Sequence, residues 1–402
     1  RRSWHALPLP VASEQTATLA MAVFGRAFGV AAAATLGVVA GHSTMALRVY
    51  VVGDRAGWDA FQQATGGSWA NCSRFVNPLS SARYRRILAL LPLNCSRSAQ
   101  PPDDEGGGGH PKLRALLSWA FLHEVLPAET DRVIALDVGD LLFLADVRHL
   151  WALFDHFAEE QVFAAAMEAG TPHIDYSHDA GGSVAGFWRR RGLPGLAKGL
   201  NSGVLLLHLE RMRGSVFTGG LSWTEIILNA AQHMNHNFCG HEGMMEQALF
   251  SAVLFNGGER YWMELSSKWN YIPGLPWEAS FHSAGASPPH RALARTLHPG
   301  VRPGGRMVHA CPDYAVLLGE WAVGAPAEQL PELFRRARRY HAWFHEEGAP
   351  GFYTPDLRCG DEVFVVHFAG GTKLLPWGRK LLHYWGLQAA EGEGAAPAED
   401  DW

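Results

Sequence analysis

The chain has 402 residues, of which 48% are hydrophobic and 18% are charged, and its formal net charge is -5. A chain of this length and composition can bury a large core, which suits one large α/β domain or two smaller ones. The charge balance gives no basic field of the kind on which nucleic-acid binding depends, so we expect no nucleic-acid partner. The five cysteines are too few and too scattered for a disulfide scaffold.

The first long apolar segment, residues 18–41, exceeds the roughly 20 residues that cross a bilayer. Its Arg26 and its many glycines and alanines disfavour a membrane helix, and strand-like segments flank it at 4–13 and 46–54. We therefore predict a buried helix that connects two strands of a parallel sheet, with a transmembrane helix as the alternative. A membrane anchor, if there is one, is expected upstream of this chain.

Helix-like and strand-like patterns continue to alternate along the chain. Residues 57–65 and 111–127 have the apolar spacing of helices, residues 132–136 are typical of a central strand, and Asp146 is expected to cap a further helix. Such alternation predicts an α/β fold with a doubly wound, mostly parallel central sheet and flanking helices. In such sheets ligands bind beyond the carboxyl ends of the strands.

Two aspartates, Asp137 and Asp140, follow the predicted strand at 132–136. Gly139 between them tolerates a positive φ, so the segment can close as a turn whose ends lie within about 7 Å. Both carboxylates can then bind one hard divalent cation, manganese or magnesium, which in turn would hold a phosphate. Alternatively, Asp137 caps the exit of the strand and Asp140 makes a turn hydrogen bond.

A second strand-like segment ends at His367 and is followed by Gly370 and Lys373. A glycine lets backbone N–H groups approach a diphosphate, and a lysine supplies a compact positive charge. An imidazole at the end of a strand can complete a metal site that carboxylates begin. The alternative is a core histidine followed by an ordinary turn.

A third segment of interest lies in the middle of the chain. Asn201, Ser202 and Gly203 stand just ahead of another predicted buried strand. There an amide and a hydroxyl can contact the hydroxyls of a sugar, although an ordinary strand start has the same sequence.

In content and order, these segments resemble glycosyltransferase family 8, the retaining nucleotide-sugar transferases of the GT-A fold, and most closely its xylosyltransferase-like members. The resemblance spans roughly residues 47–377 and rests on four motifs. They are the family's D-x-D strand and helix at 126–151, its N-S-G-V strand at 200–213, its D-Q-D and W-N segments at 245–250 and 268–271, and its H-x-x-G-x-x-K-P-W ending at 367–377.

The resemblance implies a metal-dependent transfer of a sugar, xylose or glucose, from a UDP-sugar to a hydroxyl of a glycan or glycoprotein. It also implies a lumenal position in the Golgi or endoplasmic reticulum, which the Asn-Cys-Ser sequons at Asn71 and Asn94 favour as well. By motif position, the resemblance assigns the metal (Mn²⁺ or Mg²⁺) to Asp137, Asp140 and His367, and donor binding to Lys112, Asp137, Gly370 and Lys373. It assigns the catalytic positions around the transferred sugar to Asn201, Glu246 and Gln247.

Two departures from the family pattern affect function. The D-x-D motif has one extra residue here, and Ala248 replaces the second aspartate of D-Q-D. These departures leave open a catalytically silent member that binds a nucleotide-sugar or a glycan as a partner subunit.

The domain organisation expected from the sequence is a single glycosyltransferase domain at 1–384. Within it we expect a surface loop at about 96–110 and an insertion at about 275–355, both rich in proline and glycine. The acidic, low-complexity residues 385–402 are expected to be disordered.

Overall fold

The structure is a computed structural model, and it describes nine major parts of the chain. These are residues 16–91, 117–167, 199–215, 217–232, 245–271, 307–309, 343–345, 350–352 and 362–367.

In the described residues, twelve strands form three sheets. The largest has seven strands in the order β3-β2-β1-β4-β7-β6-β8, in which β1 to β4 run parallel and β7 is antiparallel to both of its neighbours. The strands are β1 (Thr16–Val23), β2 (Ala46–Gly53), β3 (Ser73–Val76), β4 (Arg132–Leu136), β5 (Leu141–Phe143), β6 (Phe163–Met167), β7 (Leu200–His208), β8 (Trp262–Leu265), β9 (Met307–His309), β10 (Trp343–His345), β11 (Pro350–Phe352) and β12 (Val365–His367).

Helices cover both faces of the large sheet. They are α1 (Arg26–His42), α2 (Arg55–Thr65), α3 (Ala82–Leu90), α4 (Leu122–Val125), α5 (Val147–Trp151), α6 (Leu209–Gly214), α7 (Trp223–Gln232) and α8 (Met245–Phe255). None of the helices in these parts of the chain combines the length and the apolar character that crossing a bilayer requires.

The apolar side chains form two clusters, one on each face of the sheet. In β4, Ile134 and Leu136 pack into the cluster beside α1 and α2, whereas Val133 and Ala135 pack into the cluster beside α3, α7 and α8. This alternation follows from the two-residue period of a strand, because successive side chains point to opposite faces. A strand buried on both faces reads as a continuous apolar run, which is the pattern that predicted β4.

The prediction of a single helix over residues 18–41 is wrong for residues 18–25, the first third of the segment. The chain forms β1 up to Val23 and begins α1 at Arg26, after Gly25, whose φ is +81°. A continuous apolar run has no periodicity that separates a central strand from a buried helix. The predicted unit of strand, helix and strand is present, but its first strand is β1, and residues 4–13 lie outside the described residues.

Side-chain caps mark the starts of two predicted helices, although α2 begins at Arg55, two residues before the predicted start at Gly57. Asp54 accepts a hydrogen bond from the N–H of Gly57 (2.7 Å) at the start of α2. Asp146 accepts one from the N–H of Arg148 (2.9 Å) at the start of α5, which confirms its predicted role as a cap.

One arginine stabilises the connection between α4 and β4, and this gives a prediction about stability. Replacement of Arg213 by alanine should reduce the free energy of unfolding by about 2–3 kcal/mol, because a charged donor is lost from several carbonyls. The guanidinium donates hydrogen bonds to the carbonyls of His123, Leu126, Pro127, Ala128 and Thr130.

Chemical denaturation of Arg213→Ala beside Arg213→Lys would check this prediction. The lysine variant keeps the charge but loses the planar fork, so its stability should fall between those of wild type and the alanine variant. If both variants lie within about 0.5 kcal/mol of wild type, the guanidinium does not hold this connection.

Candidate functional site

The first part of the site is the turn that follows β4. The N–H of Asp137 donates to the carbonyl of Gly203 on β7 (3.0 Å), so β4 and β7 remain paired as the turn begins. Gly139 has φ +86°, the positive value that the turn was predicted to need, and its N–H donates to Oγ1 of Thr35 on α1 (3.0 Å). The turn is therefore held against both the sheet and α1, and Asp140 comes directly before β5.

The second part of the site is His367, which β12 places beside this turn. β12 pairs with β5 in antiparallel register, so that His367 stands opposite Leu141, the residue after Asp140. The N–H of His367 also donates to the carbonyl of Tyr271 (2.8 Å). Pairing on two sides therefore fixes the backbone of His367 beside the turn.

These elements bring one histidine and two aspartates together. Nε2 of His367 lies 3.7 Å from Oδ2 of Asp137 and 3.8 Å from Oδ2 of Asp140. One ligand atom from each residue lies within 4.8 Å of the others. Asp140 and His367 are buried, at 6% and 3% exposure, whereas the side chain of Asp137 is partly exposed.

The donor set fits a divalent cation. Mg²⁺ binds its oxygen ligands at about 2.0–2.1 Å, so two ligand atoms of one ion lie between about 3 and 4.2 Å apart. The distances from Nε2 to the two carboxylate oxygens fall in this range. Two carboxylates with one imidazole also suit Mn²⁺, since manganese accepts both kinds of ligand.

A group of polar residues near Asp137 is centred on Ser202. Its Oγ donates to Oε1 of Glu246 (2.8 Å), and its backbone N–H donates to Oε1 of Gln247 (3.0 Å). Both acceptors stand in the first turn of α8 and are buried. Burial, together with the negative charge of Asp137, raises the pKa of Glu246 to about 7.

A second polar group links β7 to His367. Nδ1 of His367 lies 2.9 Å from Oδ1 of Asn270, and Nδ2 of Asn270 lies 2.5 Å from Oδ1 of Asn201. Sequence reasoning assigned no role to Asn270. Its place in the W-N segment at 268–271 marked Asn270 as part of a family motif. The separation of 97 residues between Asn270 and His367 gave no indication that the two side chains are in contact.

The structure therefore brings together six of the nine residues that the resemblance assigned to the site. Asn201, Ser202 and Gly203 lie inside β7, whereas the sequence placed them ahead of the strand, because the pairing of β7 with β6 begins at Leu200. The gathered residues are Asp137, Asp140, Asn201, Glu246, Gln247 and His367. Lys112, Gly370 and Lys373 lie outside the described residues.

Comparison with known proteins gives relatives that are glycosyltransferases. The chain is 37% identical over 93 residues to human xylosyl- and glucuronyltransferase LARGE2, a match that covers 23% of this chain and 11% of that protein. It is 30% identical over 156 residues to mouse xyloside xylosyltransferase 1, which covers 37% of this chain and 36% of that protein. The chain thus spans about a tenth to a third of the length of these relatives. No protein-family model matches it.

The fold is also that of a known glycosyltransferase. The crystal structure of mouse xyloside xylosyltransferase 1 in its apo form superposes with a TM-score of 0.50 at 19% identity, covering 69% of this chain and 93% of that chain. The expected GT-A fold, with its mostly parallel central sheet, is confirmed, and so is the resemblance to xylosyltransferase-like glycosyltransferases.

Proposed function

We propose that the protein is a retaining glycosyltransferase that moves a sugar from a UDP-sugar to a hydroxyl of a glycan or glycoprotein. The observation that carries this proposal is the meeting of Asp137, Asp140 and His367 beyond the carboxyl end of β4. Open α/β sheets bind their ligands beyond the carboxyl ends of their strands. The glycosyltransferase relatives and the GT-A fold support the same reaction class.

The three residues would hold Mn²⁺ or Mg²⁺ together with the diphosphate of the donor. When bound, the cation would supply a positive charge that stabilises the departing UDP. Gly370 and Lys373 are expected to bind the same diphosphate, and Lys112 is expected to contact the donor. Asp137, whose side chain is the more exposed of the two aspartates, is placed to contact the nucleotide as well.

Asn201, Glu246 and Gln247 would bind the transferred sugar, for which we propose xylose or glucose. With its pKa near 7, Glu246 can be protonated at neutral pH, so it can both donate and accept hydrogen bonds with sugar hydroxyls. The acceptor hydroxyl would attack on the face from which UDP departs. Its proton would pass to a phosphate oxygen of UDP, and the bond from the anomeric carbon to that phosphate would break.

A catalytically silent protein that binds a nucleotide-sugar or glycan remains the alternative. Ala248 stands where the family has a carboxylate, and it packs against the apolar cluster beside α3, α7 and α8. Because this position supplies no carboxylate to the sugar, it supports the alternative. The turn at Gly139 supports the enzyme, because the extra residue does not keep Asp137 and Asp140 from reaching the same point as His367.

Hydrolysis of UDP-xylose, UDP-glucose, UDP-galactose and UDP-glucuronic acid, with and without manganese, tests the proposal. We expect one donor to turn over, and only when the metal is present. If UDP binds but none of the donors turns over, the protein is the silent alternative. If neither UDP nor manganese binds, the enzyme and a nucleotide-sugar-binding protein are both excluded, and of the two functions only glycan binding is left.

The buried carboxyl of Glu246 gives a prediction about pH. Its pKa rises from 4.5 in the unfolded chain to about 7 in the folded protein. The folded state therefore binds the proton more tightly, and the stability that this provides is present at low pH and lost as pH rises to about 7. In metal-free protein, wild type should lose stability relative to Glu246→Gln between about pH 5 and about pH 8.

Thermal unfolding of both proteins at these two pH values would measure the effect. Glu160→Gln, the same substitution at an exposed position, is the control and should keep the pH dependence of wild type. An equal pH dependence in wild type and Glu246→Gln would contradict a raised pKa for Glu246.

We also propose that the protein acts in the lumen of the secretory pathway. Asn71 of the first sequon is exposed, just before the amino end of β3. β3 runs parallel to β4, and the site lies at the carboxyl ends of the parallel strands. A glycan on Asn71 would therefore lie at the opposite, amino-terminal end of these strands. Asn94 of the second sequon lies outside the described residues.

After expression in secretory cells, peptide N-glycosidase should lower the mass of the protein, and Asn71→Gln should remove one glycan. Asn77→Gln, which changes an exposed asparagine outside any sequon, is the control. An unchanged mass after glycosidase treatment would contradict glycosylation.

A further inference from the structure

Asn270 is a buried amide, only 2% exposed, whose side chain contacts both Asn201 of β7 and His367 of β12. It directly follows Trp269 and directly precedes Tyr271, whose carbonyl accepts the hydrogen bond from the N–H of His367. The backbone next to Asn270 is therefore hydrogen-bonded to β12. The side chain of Asn270 contacts His367 on β12 and Asn201 on β7.

The hydrogen bonds around Asn270 determine which way its amide points. The backbone N–H of Gly203 donates to Oδ1 of Asn201 (2.9 Å), so that atom must be an oxygen. It lies beside the terminal amide of Asn270, as does the backbone carbonyl of Asn201 (3.4 Å). The atom of Asn270 that faces two acceptors must be the NH₂ group, so Oδ1 of Asn270 faces His367.

This orientation determines which nitrogen of His367 carries a proton. Oδ1 of Asn270 can only accept a hydrogen bond, and it lies 2.9 Å from Nδ1. Nδ1 must therefore be the protonated nitrogen. In the neutral ring the lone pair that can bind a metal is then on Nε2, and Nε2 lies 3.7 and 3.8 Å from the carboxylate oxygens of Asp137 and Asp140.

We propose that Asn270 is a positioning residue that selects this tautomer of His367 and directs Nε2 to the metal. The proposal rests on the proposed function, since it concerns the same metal site. Metal-binding histidines commonly donate their second N–H to a fixed acceptor, and the loss of such an acceptor lowers metal affinity about 10- to 100-fold. Because Asn201 holds the amide of Asn270, a residue proposed to bind the sugar also orients a metal ligand.

The first test is nitrogen NMR of the metal-free wild type, labelled with ¹⁵N-histidine. The chain has 20 histidines, so the signals of His367 are identified by their loss in His367→Gln. We expect Nδ1 of His367 to carry a proton. A spectrum in which Nδ1 is the unprotonated nitrogen would overturn the proposal, and this result needs no variant of Asn270 to fold.

The second test is calorimetric titration of Mn²⁺ into Asn270→Ala, without nucleotide. We expect the dissociation constant to rise about 10- to 100-fold. Asn256→Ala, which removes an exposed asparagine beyond the end of α8, is the matched control and should bind Mn²⁺ as wild type does. Equal affinity in Asn270→Ala and wild type would overturn the proposal.

Asn270→Asp separates positioning from simple packing. Its carboxylate still accepts a hydrogen bond from Nδ1, so this variant should keep the proton on Nδ1, whereas Asn270→Ala should lose it. If the two variants have the same histidine spectrum, Asn270 does not select the tautomer. If wild type shows the expected tautomer but binds no Mn²⁺, the proposed metal site fails while the role of Asn270 toward His367 stands.

Discussion

Asp140→Asn is expected to lower sugar transfer by about 100- to 1,000-fold, the loss that follows removal of one electrostatic contact at a reacting group. The side chain is 6% exposed and its Oδ2 lies 3.8 Å from Nε2 of His367. An amide of the same shape keeps the packing, but its oxygen carries no charge and binds a divalent cation weakly. Turnover of the best donor and titration of Mn²⁺ would measure the two losses.

Asp146→Asn is the matched control for this substitution. Asp146 lies six residues after Asp140, but its carboxylate accepts hydrogen bonds from the hydroxyl of Thr44 and from the N–H of Arg148 at the start of α5. Because asparagine also caps helices well, the control should retain wild-type turnover and wild-type affinity for Mn²⁺. If Asp140→Asn retains both as well, Asp140 only stabilises the turn, as the alternative interpretation of the sequence holds.

Gly203→Ala is expected to weaken metal binding by displacing the imidazole of His367. A Cβ at this position would lie 2.4 Å from Cε1 and 2.6 Å from Nδ1 of His367, and 3.1 Å from Oδ1 of Asn201. The backbone of His367 is paired on two sides and its Nδ1 is hydrogen-bonded to Asn270, so the imidazole can only be displaced at a cost. We expect about 1–3 kcal/mol of lost stability from overpacking and a Mn²⁺ affinity about 100-fold weaker.

Gly214→Ala is the control, because a Cβ at the end of α6 would meet nothing within 4 Å. Thermal unfolding and Mn²⁺ titration of both variants would separate the two effects. Tight Mn²⁺ binding by Gly203→Ala would mean either that His367 is not a ligand or that β12 can shift to accommodate the methyl group.

The sequence predicted those parts of the fold that depend on local chemistry. Asp146 caps α5 because its carboxylate reaches an N–H two residues away, and Gly139 allows the turn because it has no Cβ. The apolar run of β4 follows from burial on both faces. The start of α1 could not be predicted in this way, because an apolar run that fits a strand also fits a buried helix.

The sequence by itself determined the residue types of the site and, through the order of its motifs, their resemblance to glycosyltransferases. Only the tertiary structure decided their distances, because His367 reaches Asp140 through the pairing of β12 with β5. It also decided the raised pKa of Glu246, which depends on burial, and the orientation of the Asn270 amide, which depends on Asn201. These properties arise between residues far apart in the chain, and therefore no local pattern encodes them.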